Sequence, residues 1–176
     1  MQTLASALLI LLLTAAPGWT LRPDASTVQF NIRNAGLNVE GSFEAFSAAI
    51  RFAPDDLANS SIRAEARAAS IETGIGLRDK HLRGEDYFDA ERYPTLRFES
   101  ERIERRGDGY VAVGRFTVRD VTKTLELPFT YEARSGGAVF KTTFEIDRRD
   151  YGVGGRSLLL SDDVEIVIQL AMEPAG

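Results

Sequence analysis

Beyond Gly18, apolar and polar residues alternate through almost the whole chain, and few folds accept such a pattern. A period of two places successive side chains on opposite faces of a strand, whereas a helix needs a period near 3.6. Val28, Phe30 and Ile32 interleave with Gln29 and Asn31. Phe46, Ala48, Ile50 and Phe52 interleave with Ser47, Ala49 and Arg51, and Ile62, Ala64, Ala66 and Ala68 oppose Arg63, Glu65 and Arg67. Leu96 and Phe98 follow, then Leu125, Leu127, Phe129 and Tyr131, then Phe140, Phe144 and Ile146, and finally Val164, Ile166, Ile168 and Leu170. With Val39–Phe43 or Tyr110–Val118 added, this predicts about eight strands, the size of a small closed barrel. The expected fold class is all-β, a single antiparallel barrel.

Turn chemistry divides the strands in the same places. Asp108-Gly109 and Ser135-Gly136-Gly137 sit between alternating runs as hairpin signals. Pro128 interrupts one run and has no N–H for a ladder, which predicts an edge, a bulge or a poorly paired corner there. The exception to period two is a stretch of about 74–92. There Leu77, His81 and Leu82 recur at helical spacing, predicting one or two short helices inserted between strands. Pro54-Asp55-Asp56-Leu57 suggests a single helical turn with Pro near its first position.

Residues 1–18 carry no charge and surround the run Leu8-Leu9-Ile10-Leu11-Leu12-Leu13. An apolar stretch of about 13 residues is short of the roughly 20 that span a bilayer, so a secretory signal is expected, with cleavage after Gly18 and release of one domain, 19–176, into the periplasm. Met1-Gln2-Thr3 lacks the usual positive charge, which keeps an uncleaved anchor as the alternative.

The chain of 176 residues has no Cys, one His, and a formal net charge of −5. Disulfides and thiolate metal sites are thereby excluded. No overall positive field exists to gather phosphate backbones, so nucleic acid is not an expected partner. His81 has no second imidazole for a zinc site, and Asp79 lies on another side of its helix from a position that would orient it as a base. Two readings stand for His81: a rim histidine held by hydrogen bonds, or a polar tip that meets a ligand's head. No catalytic signature is found, and neither an enzyme nor a cofactor is expected.

The inward face carries more information. Phe30, Phe46, Phe52, Phe98, Phe129, Phe140 and Phe144 are large, whereas Ala48, Ala64, Ala66 and Ala68 are small and grouped. An eight-stranded barrel either fills with side chains or holds one small ligand, and both readings fit a row of Ala: a hollow, or a taper opposite facing Phe. If hollow, the lumen is apolar and suits a hydrocarbon chain, each buried methylene contributing about 0.8 kcal/mol.

Several segments in order resemble the YceI-like family of lipid- or polyisoprenoid-binding periplasmic proteins. They are Trp19-Thr20-Leu21, Ser26-x-Val28-x-Phe30, Gly41-x-Phe43, Ser70-Ile71-x-Thr73, Arg78-Asp79-x-His81-Leu82-Arg83, Tyr87-Phe88-Asp89 and Tyr93-Pro94-x-Leu96-x-Phe98. Gly114-x-Phe116-Thr117-Val118-x-x-Val121-Thr122-Lys123, Arg148-x-Asp150-Tyr151-Gly152 and Asp163-Val164-x-Ile166 complete the set. The resemblance implies a lipocalin-like barrel around a long-chain amphiphile such as a polyisoprenoid, an isoprenoid quinone or a fatty amide. It implies a carrier or sequestering role, with transient contact to a membrane or a b-type cytochrome. The alternative is an interaction module with a filled core that serves such a cytochrome.

Carried onto this chain, the resemblance and the inward face together nominate as ligand-binding Phe30, Phe46, Ile50, Phe52, Ala64, Ala66, Leu82, Phe88, Phe98, Phe116, Leu127, Phe129, Phe140, Phe144 and Tyr151. Arg78–Arg83 would form a helical flap at the mouth, from which Arg78, His81 and Arg83 reach a phosphate or carbonyl. Asp79 is expected to pair with Arg78 or cap backbone donors. The loop Tyr151–Ser161, with three glycines and Leu158-Leu159-Leu160, either gates the lumen or packs one rim.

Overall fold

The computed structural model describes residues 16–175. The expected leader lies almost entirely outside them. Eleven antiparallel segments occur in chain order: β1 (Gly18–Leu21), β2 (Thr27–Asn34), β3 (Leu37–Phe43), β4 (Phe46–Arg51), β5 (Ser61–Arg67), β6 (Ile71–Glu72), β7 (Thr95–Arg106), β8 (Gly109–Val118), β9 (Val121–Arg134), β10 (Gly137–Asp147) and β11 (Leu160–Pro174). They occupy eight strand positions, because β1 and β2, β3 and β4, and β5 and β6 are the halves of three interrupted strands. The ring closes where β1 pairs with β11 through Trp19 opposite Pro174 and with β4 through Trp19 opposite Ile50. Closure gives every strand position a paired neighbour on each side, although β9 and β10 pair only over 130–134 and 137–141, and so leaves little edge for other chains to pair with.

The interruptions have local causes. Pro23 opens a 3-10 turn, Pro23–Ala25, that separates β1 from β2, and the Ser26 hydroxyl bridges the gap by donating to the Arg22 carbonyl (2.8 Å) and accepting from Ala171 N–H (2.9 Å). Ser70 does the same between β5 and β6, accepting from Ala45 N–H (3.0 Å) and donating to the Arg67 carbonyl (2.7 Å). Ala68 therefore lies in the 3-10 turn Ala68–Ser70, not on the inward face of a strand as the alternation implied. At the predicted turn 54–57 the structure has a 3-10 turn over Leu57–Asn59, and Pro54 precedes it instead of starting it.

Pro128 sits where β9 is bonded on one side only. It faces Val111 of β8, while β9 and β10 pair only from Thr130 opposite Lys141 to Arg134 opposite Gly137. The missing N–H thus falls where the ladder has already ended.

The two longest connections lie at one end of the barrel. Residues 35–36, 73–94, 119–120 and 148–159 link strands there, whereas 52–60, 107–108 and 135–136 link them at the other end, beside both described termini. A single helix, α1 (Gly76–Arg83), stands in the 73–94 connection, and turns fill the rest of the stretch expected to be helical. No helix among the described residues is long and apolar enough to cross a membrane. The outward face carries charged ladders such as Arg63–Glu99 (2.9 Å) and Arg97–Glu65 (2.8 Å), exposed pairs that contribute little stability individually.

Candidate functional site

The interior is filled at one end and hollow at the other. At the closed end Phe52, fully buried, meets Tyr110 (4.9 Å between ring centroids), Phe129 (5.5 Å) and Phe140 (5.5 Å) edge to face and lies tilted against Tyr131 (5.1 Å). Trp19 closes the cluster against Tyr131 and Phe140, its indole N–H donating to the Phe52 carbonyl (3.1 Å). Phe52 was expected in the lumen. It follows the last residue of β4, at the level where aromatic rings from neighbouring strands converge, and is packed beneath the floor instead of lining it.

Above this floor lies a cavity of about 1140 Å³ that opens among α1, residues 84–88 and 157–160. Its walls contain Phe30, Phe46, Ile50, Ala64, Ala66, Leu82, Phe88, Phe98, Phe116, Leu127, Phe129, Phe140, Phe144 and Tyr151, so every nominated apolar residue except Phe52 borders one space. The alanines explain the room on one wall. Ala48 stands opposite Ala64, and Ala66 is flanked by Phe46 on β4 and Leu96 on β7, so three adjacent inward positions on β4 and β5 extend no further than a methyl group. Gly41 shapes another wall: a Cβ there would stand 2.3 Å from the Phe30 ring, which lies across the bare backbone and continues to Phe43 and Phe88.

The mouth differs from expectation in how its charges are used. Arg78 borders the cavity, but its guanidinium donates to the Thr73 hydroxyl and carbonyl (both 2.7 Å). That hydroxyl donates to the Asp79 carboxylate, so Asp79 meets Arg78 through Thr73 and not directly. Asp79 is buried, and the Thr73 hydrogen bond outweighs its desolvation, holding the carboxyl below the usual range. Arg83 does not border the cavity; it ties α1 to β6 by donating to the Ile71 carbonyl (2.8 Å). His81 is exposed at the rim, edge-on to Tyr87 at 5.1 Å. Lys80, not singled out from the sequence, is an exposed cation that borders the cavity and forms no ion pair among the described residues.

Arg148 is the other residue whose role the sequence hid. It is buried, borders the cavity, and donates to the carbonyls of Val153 (2.8 Å), Gly155 (3.1 Å), Ser161 (2.8 Å) and Leu160 (3.4 Å) and to the Asp162 carboxylate (3.1 Å). One guanidinium, with its five donors, thus fastens both ends of the loop that connects β10 to β11. Gly154, at φ +68°, lets this loop pass between Arg148 and Tyr87, where a Cβ would come within 2.8 Å of both side chains. The loop is therefore fixed at its base, and its tip, 155–159, is exposed throughout. Burial pushes the Tyr151 hydroxyl up, so beside the lumen it is a neutral phenol at pH 7. Among the described residues no group of three His, Asp or Glu side chains is placed to hold a metal.

Comparison with known proteins agrees with this geometry. The chain is 29% identical over 154 residues to a UPF0312 protein of Serratia proteamaculans, the match covering 81% of this chain and 78% of that one. The solved structure of Burkholderia cenocepacia BcnA superposes with a TM-score of 0.83 at 26% identity, covering 86% of this chain and 98% of the other. A domain from Saccharophagus degradans described as polyisoprenoid binding has a TM-score of 0.68 at 14% identity, covering 92% of this chain and 100% of that one; at that identity it shows a shared fold. The YceI-like domain model matches residues 19–172, and the chain belongs to the YceI-like family.

Proposed function

We propose that the protein binds one long-chain amphiphilic lipid, a polyisoprenoid, an isoprenoid quinone or a fatty amide, in the barrel lumen and serves as a periplasmic carrier or sequestering protein. The cavity carries this reading. At about 1140 Å³ it is larger than most small-molecule pockets, and its walls are predominantly aliphatic and aromatic, with the unpartnered Thr142 hydroxyl among them, below a rim that carries Arg78, Lys80 and His81. Such a space favours a chain held by apolar burial, with its head near His81 and Lys80. The YceI-like family, and the ligand class ascribed to the Saccharophagus domain, support the same class of guest. Binding requires no bond to be made or broken, so the role is that of a binding protein and not an enzyme. A filled core serving a cytochrome is the weaker reading, because the core is filled only below the floor.

Organic extraction of natively purified protein, followed by mass spectrometry, tests this. One lipid species per chain, or uptake of fatty-acyl or polyprenyl probes at micromolar concentration, is the expected result. Protein that carries no lipid and takes up neither probe overturns it.

A further inference from the structure

The five large apolar side chains left exposed among the described residues are Leu37, Ile75, Leu77, Leu158 and Leu159, with Leu77 at 81% and Leu158 at 105% of full exposure. They come from three separate connections, and all three connections are at the open end of the barrel. Leu37 follows the 35–36 hairpin, whose Ala35 N–H donates to the Leu159 carbonyl (2.8 Å), so two of the connections are joined. Ile75, Leu77 and Leu159 also border the cavity, which makes the outer apolar rim continuous with the lumen. Scattered exposed leucines need no explanation, but a group of them gathered at the open end of an apolar cavity does.

Three cations stand among these residues. Lys80 is one helical turn from Leu77, Arg156 is two residues from Leu158, and Arg33 lies beside the 35–36 hairpin. All three are exposed, and none forms an ion pair among the described residues. Carboxylates stand at this end as well: Glu85 and Asp86 border the cavity, Glu72, Asp89, Glu91 and Asp120 lie in or beside the same connections, and Asp150 and Asp162 are in ion pairs with Lys123 and with Arg148 and Arg149. This end of a chain with a formal charge of −5 thus carries both signs, and what distinguishes it is that three unpaired cations stand among the exposed leucines.

We infer that this end of the barrel docks on a lipid bilayer containing anionic phospholipid, the leucines entering the interface and Lys80, Arg156 and Arg33 meeting the headgroups. The inference rests on the lipid-binding reading and extends it. A guest leaving the bilayer would pass along Leu77 and Leu159 into the lumen without crossing water, whereas an aqueous route exposes every methylene of its chain to water. Apolar side chains on a water-facing rim and an apolar lumen behind them then have one cause.

Vesicle flotation tests the docking, using protein purified from the exported fraction. Two vesicle types serve as probes: phosphatidylcholine alone, and phosphatidylcholine with phosphatidylglycerol at three to one. Uptake of a fatty-acyl probe from aqueous dispersion is measured in parallel. The wild type is expected to float with the anionic vesicles. Leu37→Asp with Leu158→Asp, neither of which borders the cavity, should lower that partition tenfold or more and leave probe uptake intact. Lys80→Gln with Arg156→Gln should lower it about tenfold on anionic vesicles and little on neutral ones. Thr124→Asp, on the outer wall, should change nothing. Wild type that fails to float, or a double Asp variant that floats like wild type, overturns the inference. So does a wild-type dimer that the Asp variants convert to monomer with flotation unchanged, which would assign the rim to a second copy of the chain. Absence of probe uptake with flotation intact would instead count against the lipid-binding reading alone.

Discussion

The two ends of this barrel are built from the same strands with the same alternation, yet one is solid and the other hollow. At the closed end, Trp19, Phe52, Tyr110, Phe129, Tyr131 and Phe140 converge from neighbouring strands and fill the bore with rings mostly set edge to face. Toward the open end three adjacent inward positions of β4 and β5 are Ala48, Ala64 and Ala66, and the wall stands back from the axis there. The comparison teaches that inward-facing and cavity-lining are different properties. The first follows from strand periodicity, the second from the level along the bore at which a residue stands and from the bulk opposite it.

Four substitutions break or sharpen this contrast. Phe52→Ala removes the centre of the solid end and should cost about 3–5 kcal/mol in denaturant unfolding; a smaller loss would mean the closed end is not tightly packed. Arg148→Met leaves a set of loop carbonyls without their donor. It should cost about 2 kcal/mol or more and speed hydrogen exchange across 153–161, while exchange in the Phe52 cluster stays slow.

Ala64→Phe places a ring in the hollow end. Stability should change by less than about 1 kcal/mol while probe uptake falls sharply, whereas a loss of roughly 1–3 kcal/mol would indicate a filled core. Asp79→Asn should give the smallest effect and one that depends on pH. Because the folded carboxyl is held below its ordinary range, its stabilisation is present at neutral pH and disappears as pH falls through the folded value. The gap in Tm between Asp79→Asn and wild type should accordingly close in acid; a gap that persists there would show that the Thr73 contact does not depend on charge.

Much of the architecture was legible because alternation is local. Val28, Phe30 and Ile32, or Leu125, Leu127 and Phe129, declare their faces within a few residues, and Pro128 marks a weakness in the ladder. The misreadings come where that local signal outlasts the element. Phe52 and Ala68 continue their patterns one residue beyond β4 and β5 and then follow the turn instead of the strand. Arg78 and Arg83 were expected to face a guest because both occupy the mouth segment, but Thr73 and Ile71 engage them, and those contacts depend on how α1 folds back onto β6. Arg148 carried one faint signal, a long donor just ahead of a glycine-rich loop whose carbonyls lack ladder partners.

By itself, then, the sequence determined that the chain would close into an antiparallel barrel and that the inward face would be apolar. Both follow from residue order over short distances. Only the tertiary structure decided that the aromatic rings collect at one level and the alanines at another, that Arg148 secures the loop over the mouth, and that leucines from three distant connections form one rim. Those features depend on the register between strands far apart in the chain, which closure of the ring fixes and no local window contains.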